Sequence, residues 1–369
     1  MAESLKTFFN KEAVRRLASM LHAAHPAFPE RRFLSEASEG LDALELMDRA
    51  RHIMRAMHRA LPGDFEQAAR ILQSSLGSPL ERTEGHGMSV FLYLPHVLYV
   101  AEHGLGHFEA AMRLQYELTQ RFTAEFSIRP YLERYPEQTL ARLRQWASDG
   151  NVHVRRLVSE GTRPRLPWAP RLRAFQKNPR PVLELLELLK DDPELYVRRS
   201  VANNLNDIGK DHPEVLVATC KRWSRGASPE RQWILRHALR SAVKRGELGA
   251  LDVLGYGGPV ELEVKATISP RSPRLGESVK VALSVANRST QRQKAVVDLR
   301  VHFMKANGST RPKVFKVRQV DLAPGDSTVL EKTVSLEMLT TRQHYPGKHA
   351  VEVLVNGQAT PVGAFTAQG

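Results

Sequence analysis

Hydrophobic positions along this chain follow two periods, and the change falls near residue 255. Upstream, apolar residues recur at helical spacing. Val14, Leu17, Ala18 and Leu21 stand at i, i+3, i+4 and i+7, after an Asn10 suited to cap the first turn. A second periodic stretch covers residues 41–61, residues 62–84 are mixed, and 88–101 are apolar enough to be buried. From Phe122 the predicted helices become more regular. One of them holds Glu125, Phe126, Ile128, Tyr131 and Leu132. Residues 139–146 then pair with 152–161, residues 182–189 with 195–209, and residues 215–223 with 231–245. Pro181 suits a first helical turn, and Gly246 closes the last helix.

Two of these helices carry near-copies of one pattern, 43 residues apart. The first reads Val154-Arg155-Arg156-Leu157-Val158-Ser159-Glu160, after the turn Asp149-Gly150-Asn151. The second reads Val197-Arg198-Arg199-Ser200-Val201-Ala202-Asn203-Asn204-Leu205-Asn206-Asp207, after Asp191-Asp192-Pro193. A two-helix unit at this period is the mark of HEAT-type repeats, which stack into a solenoid with a long concave face. Aligning the second helices brings Arg156, Arg199 and Arg236 to equivalent positions. Glu160, Asn203 and Arg240 follow one turn later, and Asp207 one turn past Asn203. The apolar positions Val154, Leu157 and Val158, and Val197, Val201, Leu205 and Ile208, lie on other sides of the same helices. The charged column is therefore expected to form a ridge on the inner curve.

Past the linker Gly255-Tyr256-Gly257-Gly258-Pro259 the period becomes two. Leu262, Val264, Ala266 and Ile268 alternate with polar residues, as do Val297, Leu299, Val301 and Phe303. Further runs fall at 279–285, 314–320, 328–336, 349–355 and 362–366. Between them stand the turn signals Asn307-Gly308, Pro324-Gly325, Pro346-Gly347 and Asn356-Gly357. Seven short strands in this space predict an immunoglobulin-like β-sandwich without the cysteine pair of antibody domains. The expected class is mainly α: a HEAT-like repeat domain over residues 1–254, a linker at 255–259 and the sandwich over 260–369.

Charge turns this fold toward a partner. The chain of 369 residues carries a formal net charge of +14, with a pI near 10.0. Residues 260–369 hold 16 Lys/Arg against 9 Asp/Glu, so half of the excess lies in the sandwich segment. Such a surplus points to a polyanion such as nucleic acid. One cysteine, Cys220, excludes an intrachain disulfide and a cysteine-based zinc cluster. Its helix side, with Val217 and Trp223, makes it a core residue. The start of the chain lacks the apolar core of a signal peptide, and no apolar run is long enough to span a bilayer. The expectation is a cytoplasmic, monomeric protein with no cofactor.

No dinucleotide fingerprint or phosphate-binding P-loop is present. His96, His103 and His107 are spaced loosely, beside Gly104 and Gly106, and read as structural rather than as metal ligands. The carboxylates are more pointed. Glu160 and Asp207 fall on second helices near the charged ridge, and Glu125 on the less regular helix before them. Glu160 leads into Gly161-Thr162-Arg163-Pro164-Arg165-Leu166-Pro167-Trp168, a loop in which arginines can hold phosphates and Trp168 can pack against a base or sugar. The plainer reading of Trp168 is a ring that seals the helix pair.

The segment Arg155–Trp168, the segment Tyr196–Asp207 and Thr123-Ala124-Glu125-Phe126-Ser127-Ile128-Arg129-Pro130 together closely resemble the AlkC branch of the AlkC/AlkD family of bacterial DNA alkylation-repair glycosylases. The basic sandwich resembles the immunoglobulin-like appendage of some AlkC members. The resemblance implies a monofunctional glycosylase that removes cationic N-alkylated bases of the 3-methyladenine type from duplex DNA. It also implies Glu125, Glu160 and Asp207 as the active-site acids and no need for a deep base pocket. Arg156, Arg163, Arg165, Trp168, Arg199, Asn203, Arg236, His237 and Arg240 are the expected DNA contacts, with the sandwich as an auxiliary clamp. A base alkylated on a ring nitrogen is already positive, so its departure needs negative charge near the sugar and a positioned water more than a general acid.

Two other classes compete. A non-catalytic HEAT-repeat scaffold for nucleic acid accounts for the arginines and the sandwich, but not for carboxylates in an anion-binding groove. A metal-dependent nuclease would use the carboxylates, yet none of the three stands in a D-x-D or E-x-K spacing.

Overall fold

The computed structural model describes residues 5–257, 260–338 and 343–369. Met1–Ser4 and the linker residues Gly258 and Pro259 lie outside these. The described helices are α1 (Lys11–Ala24), α2 (Glu30–Ser38), α3 (Leu46–Ala60), α4 (Phe65–Ser74), α5 (Leu94–His103), α6 (Phe108–Thr119), α7 (Ile128–Arg134), α8 (Pro136–Trp146), α9 (Val152–Gly161), α10 (Arg173–Lys177), α11 (Arg180–Leu189), α12 (Leu195–Ile208), α13 (Pro213–Ser224), α14 (Pro229–Ala238), α15 (Arg240–Arg245) and α16 (Leu248–Val253). None is long and apolar enough to cross a membrane.

Two compact units result, Met1–His212 with Ser228–Ala238, and Pro213–Ala227 with Leu239–Gly369. The first holds α1–α12 and α14. Its helices start where the sequence supplies a cap: the Asn10 side chain accepts from the backbone N–H groups of Glu12 and Ala13, and Asn151 does the same for His153. Val14, Leu17, Ala18 and Leu21 are fully buried, as are the apolar faces of α9 and α12. Each such leucine or valine contributes about 1.5–3 kcal/mol by leaving water.

The repeated arginine pair proves to be two devices. The first arginine of each pair folds back on the turn before its own helix. Arg155 donates to the carbonyls of Asp149 (2.9 Å) and Gly150 (3.1 Å), and Arg198 to those of Asp192 (2.9 Å) and Pro193 (2.5 Å). Arg155 also grips the buried Asp192 carboxylate, Nε to Oδ2 at 2.6 Å, which ties the α8–α9 turn to the α11–α12 turn. Leu235 occupies the corresponding place in α14, and there the back-bonding has no donor.

Two expectations fail here. Residues 231–245 do not form one helix: the chain turns at Leu239, and α14 and α15 belong to different compact units. The expected pair 215–223 and 231–245 is likewise divided, because α13 packs against α16 in the second unit. Apolar periodicity carries across Leu239, and spacing alone cannot register a change of packing partner.

The second unit carries β1 (Leu262–Ser269), β2 (Ser278–Asn287), β3 (Gln293–Met304), β4 (Thr310–Leu322), β5 (Ser327–Ser335), β6 (Gly347–Val355) and β7 (Gln358–Ala367). They form antiparallel sheets ordered β1-β2-β5 and β4-β3-β6-β7. Every strand stands where the two-residue period predicts it. Val279, Val281, Leu283 and Val285 of β2 face Val297, Leu299 and Val301 of β3 and Val351 and Val353 of β6 in one apolar core. The β6–β7 hairpin turns on Asn356 and Gly357, both at positive φ, as a tight two-residue hairpin requires. Gly357 meets Gly246, the cap of α15, backbone to backbone; a Cβ on Gly357 would lie 2.3 Å from the Gly246 Cα.

Candidate active site

The three acids expected from the sequence belong to one continuous polar network. Glu160 is the penultimate residue of α9 and Asp207 that of α12. Carboxylates at helix C-termini face the negative end of the helix dipole, and these two are also buried, at 6 % and 1 % exposure. Such placement is tolerated only with close cationic partners. Arg163, just past α9, supplies them to both acids. Its Nη1 lies 2.6 Å from Glu160 Oε1 and its Nε 2.8 Å from Asp207 Oδ2. Lys210, one turn past Asp207, holds the other oxygen at 2.8 Å.

Arg156 continues the network toward Glu125. Its Nη1 lies 2.7 Å from Glu125 Oε2, and its Nη2 3.6 Å from Glu160 Oε1. The guanidinium sits 5.3 Å over the Tyr196 ring, a cation–π contact. Glu125 itself stands in a turn before α7, not on a helix as expected. Thr123 is the reason. Its hydroxyl accepts from the Glu125 backbone N–H (3.3 Å) and donates to Glu125 Oε2 (2.8 Å), a local bond that competes with helix. Three carboxylates thus alternate with three cations: Glu125, Arg156, Glu160, Arg163, Asp207, Lys210.

Burial raises the Glu160 carboxyl, but Arg156, Arg163 and a hydrogen bond from Ser200 outweigh it and hold Glu160 below the ordinary carboxylate range. Burial likewise disfavours the charge on Arg156, and Glu125 and Glu160 restore it. Arg129 differs. Burial brings it down to about 10, and its guanidinium donates to the carbonyls of Gly161 (3.1 Å), Arg163 (2.8 Å) and Pro170 (2.5 Å). It therefore staples both ends of the loop that presents Trp168. That ring is 58 % exposed on a backbone at φ 63, so Trp168 does not seal a helix pair. A tryptophan in the left-handed region costs about 1–3 kcal/mol, which the surrounding loop must supply. Trp168, Tyr196, Phe91 and Phe122 line a cleft of about 340 Å³, with Glu125 and Arg156 on its wall; Glu160 and Asp207 lie outside its lining.

The other expected contacts are less uniform. The ridge of solvated charge is buried at Glu160, Arg163 and Asp207 and half-buried at Arg156, because the helix surfaces around them are closed by polar packing rather than left open. Arg165 is committed to Asp211, with Gln176 on the same carboxylate. Arg199 is half-exposed, 3.5 Å from Glu84, and Arg236 is exposed. His237 stacks on Trp233 and meets Asn203 Oδ1 at 3.1 Å. Arg240 lies in the second unit. Cys220 is buried, and burial pushes its thiol up to about 12. His96 meets Ser75, His103 stacks on His58, and His107 stacks on Phe65.

Sequence reasoning passed over Thr123, Ser200, Lys210 and the loop Thr83-Glu84-Gly85-His86-Gly87 at the cleft. Lys210 was readable as an i, i+3 partner of Asp207, and Thr123 as a hydroxyl two residues before Glu125. The loop carries no local signal.

Comparison with known proteins gives the family. A family model described as "DNA alkylation repair enzyme" matches residues 122–242, and one for the C-terminal Ig-like domain of the uncharacterised protein YhaZ matches 263–369. The chain is 35 % identical over 358 residues to YhaZ of Bacillus subtilis (strain 168), covering 96 % of both. It is 36 % identical to the alkylpurine DNA glycosylase AlkC of Pseudomonas fluorescens, solved bound to DNA containing an abasic site analog, covering 100 % of both chains with a TM-score of 0.92. The chain belongs to the AlkC branch of the AlkC/AlkD family. Within the first unit of this AlkC-type chain, the alkylation-repair match spans α7–α12 and α14, the helices and turns that carry Glu125, Glu160 and Asp207.

Proposed function

We propose that this protein is a monofunctional DNA glycosylase that excises cationic N-alkylated bases, of the 3-methyladenine type, from duplex DNA. The observation that carries the reading is the alternating network of Glu125, Glu160 and Asp207 with Arg156 and Arg163, in a chain similar along its whole length to an alkylpurine glycosylase. A carboxylate cluster in a strongly basic protein is a liability for holding phosphate and an asset for a reaction that develops positive charge. As the glycosidic bond lengthens, the sugar becomes oxocarbenium-like and the leaving base loses its charge. Fixed carboxylates stabilise that sugar and orient the attacking water, and they need not reorganise as the bond breaks. The arginines hold them in place and keep Glu160 ionised.

Exposed Arg236 and half-exposed Arg199, together with the basic sandwich, are assigned to the duplex backbone, and Trp168 to the nucleotides at the lesion. The experiment is chromatography of bases released from methylated duplex DNA, with and without a chelator. Free 3-methyladenine and an intact abasic strand, unchanged by the chelator, are expected. Binding without release would favour the non-catalytic scaffold. Loss of release with chelator, restored by added metal, would overturn a carboxylate-only mechanism.

A further inference from the structure

The interface between α9 and α12 is unusually polar for two packed repeat helices. Ser159, Thr162, Ser200 and Asn204 are all buried in it. Asn204 Nδ2 donates to the Ser159 carbonyl (2.8 Å) and to Thr162 Oγ1 (3.0 Å), which fixes the register of the two helices. Beside this bond runs a line of hydroxyls. Ser159 Oγ lies 2.7 Å from Ser200 Oγ, and Ser200 Oγ lies 2.6 Å from Glu160 Oε2.

Proton counting gives this line a direction. An ionised carboxylate only accepts, so Ser200 must donate its one proton to Glu160. Its oxygen is then free to accept, and Ser159 donates to it. The chain runs Ser159 to Ser200 to Glu160, each bond polarising the next. Arg163 and Arg156 occupy Oε1 of the same carboxylate, so Ser200 is what holds the second oxygen.

We infer that Ser200, backed by Ser159, is a positioning residue that locks the Glu160 carboxylate in its ionised form and in one rotamer for base excision. The inference rests on the reading of Glu160 as an active-site acid. It differs from that reading in assigning a role to Ser200 of α12 and Ser159 of α9, both buried between the two helices. The arginines on Oε1 can follow a moving carboxylate with their long side chains. A serine anchored on α12 cannot, and it ties Glu160 to the helix that also carries Asp207.

The test is single-turnover excision of 3-methyladenine from a duplex by full-length Ser200→Ala, Ser200→Thr and Glu160→Gln, from about pH 3 to 8 with the uncatalysed release subtracted, and with DNA affinity measured alongside. Ser200→Ala creates no orphan donor, because Ser159 Oγ falls back on the Arg156 carbonyl at 3.0 Å. The free energy of a hydrogen bond to a charged group corresponds to about ten-fold or more in an equilibrium or rate constant. Ser200→Ala should therefore slow excision by about ten-fold at saturating enzyme with unchanged DNA affinity. It should also move the acid limb of the pH profile upward, since Glu160 loses a bond to its charged form. Ser200→Thr should restore both. A Ser200→Ala rate and acid limb like those of wild type, beside an inactive Glu160→Gln, would overturn the inference alone. So would a Ser200→Ala defect confined to DNA affinity, or one equally deep in Ser200→Thr. Full activity of Glu160→Gln would instead overturn the assignment of Glu160 on which it rests.

Discussion

Glu160 and Asp207, 47 positions apart on two different helices, share a single guanidinium: Arg163 reaches Glu160 with Nη1 at 2.6 Å and Asp207 with Nε at 2.8 Å. The two acids are therefore electrostatically one unit. What happens to either is felt by the other through Arg163, and removing one leaves the guanidinium bound to its partner alone.

Glu160→Gln and Asp207→Asn are each expected to lower single-turnover excision by about 10²–10³, the usual loss when a preorganised charge at the reacting centre is removed. Both variants should also melt at lower temperature, because a buried cation loses one of its two partners, and the double variant, which leaves Arg163 with neither acid, should cost more than the sum of the two. Rates within about three-fold of wild type would remove that residue from the active site.

Arg155 should behave in the opposite way. It binds the buried Asp192 and two turn carbonyls and lies outside the acid network. Arg155→Leu leaves Asp192 buried without its partner, so a loss of about 3 kcal/mol in denaturant unfolding is expected. Excision below the melting temperature should be retained. A stable Arg155→Leu protein that fails to excise would show that the staple reaches the chemistry.

His96 sets a pH limit on stability. It is fully buried, and burial lowers its imidazole from 6.5 to about 3. Ser75 gives its proton to the Leu72 carbonyl at 2.7 Å, so His96 Nε2 must donate to Ser75 Oγ, leaving Nδ1 bare and without a partner. A proton on Nδ1 would be a buried donor with no acceptor. The folded pKa is depressed, so the stabilisation is present above 6.5 and is lost as pH falls toward 3. The slope from this one group is about 1.4 kcal/mol per pH unit. Urea unfolding between pH 7 and 4 should follow it in wild type, and His96→Phe should flatten it. An equal slope in both proteins would assign the acid sensitivity elsewhere.

The clamp role of the sandwich is tested by charge rather than by truncation. Ending the chain near residue 258 would cut through the second compact unit, which also contains α13, α15 and α16. The edge strand β4 presents Arg311, Lys316 and Arg318 to solvent. Replacing each with glutamine should reduce the slope of log Kd against log salt by about 0.9 for every phosphate that is no longer neutralised. An unchanged slope in the triple variant would free β4 from the duplex.

Much of this protein was determined by its sequence alone. Period-two alternation placed all seven described strands, since a strand's side chains alternate between core and solvent whatever the neighbouring strand. The cap at Asn10, the α9 boundaries and the repeated arginine pair were equally local. Among 40 Asp and Glu residues, Glu160 and Asp207 stood out by their place near the repeated ridge, and it was the family resemblance that implied them and Glu125 as the acids of the site. The tertiary structure alone decided their state. The turn-back bonds of Arg155 and Arg198 and the Arg163–Glu160 pair are local, but that Arg156 would also reach Glu125, and Arg163 Asp207, depended on residues 31 and 44 positions away. Ion pairing and burial are properties of three-dimensional proximity. A one-dimensional pattern can place a charge on a helix face, but not the opposite charge that another helix brings to meet it.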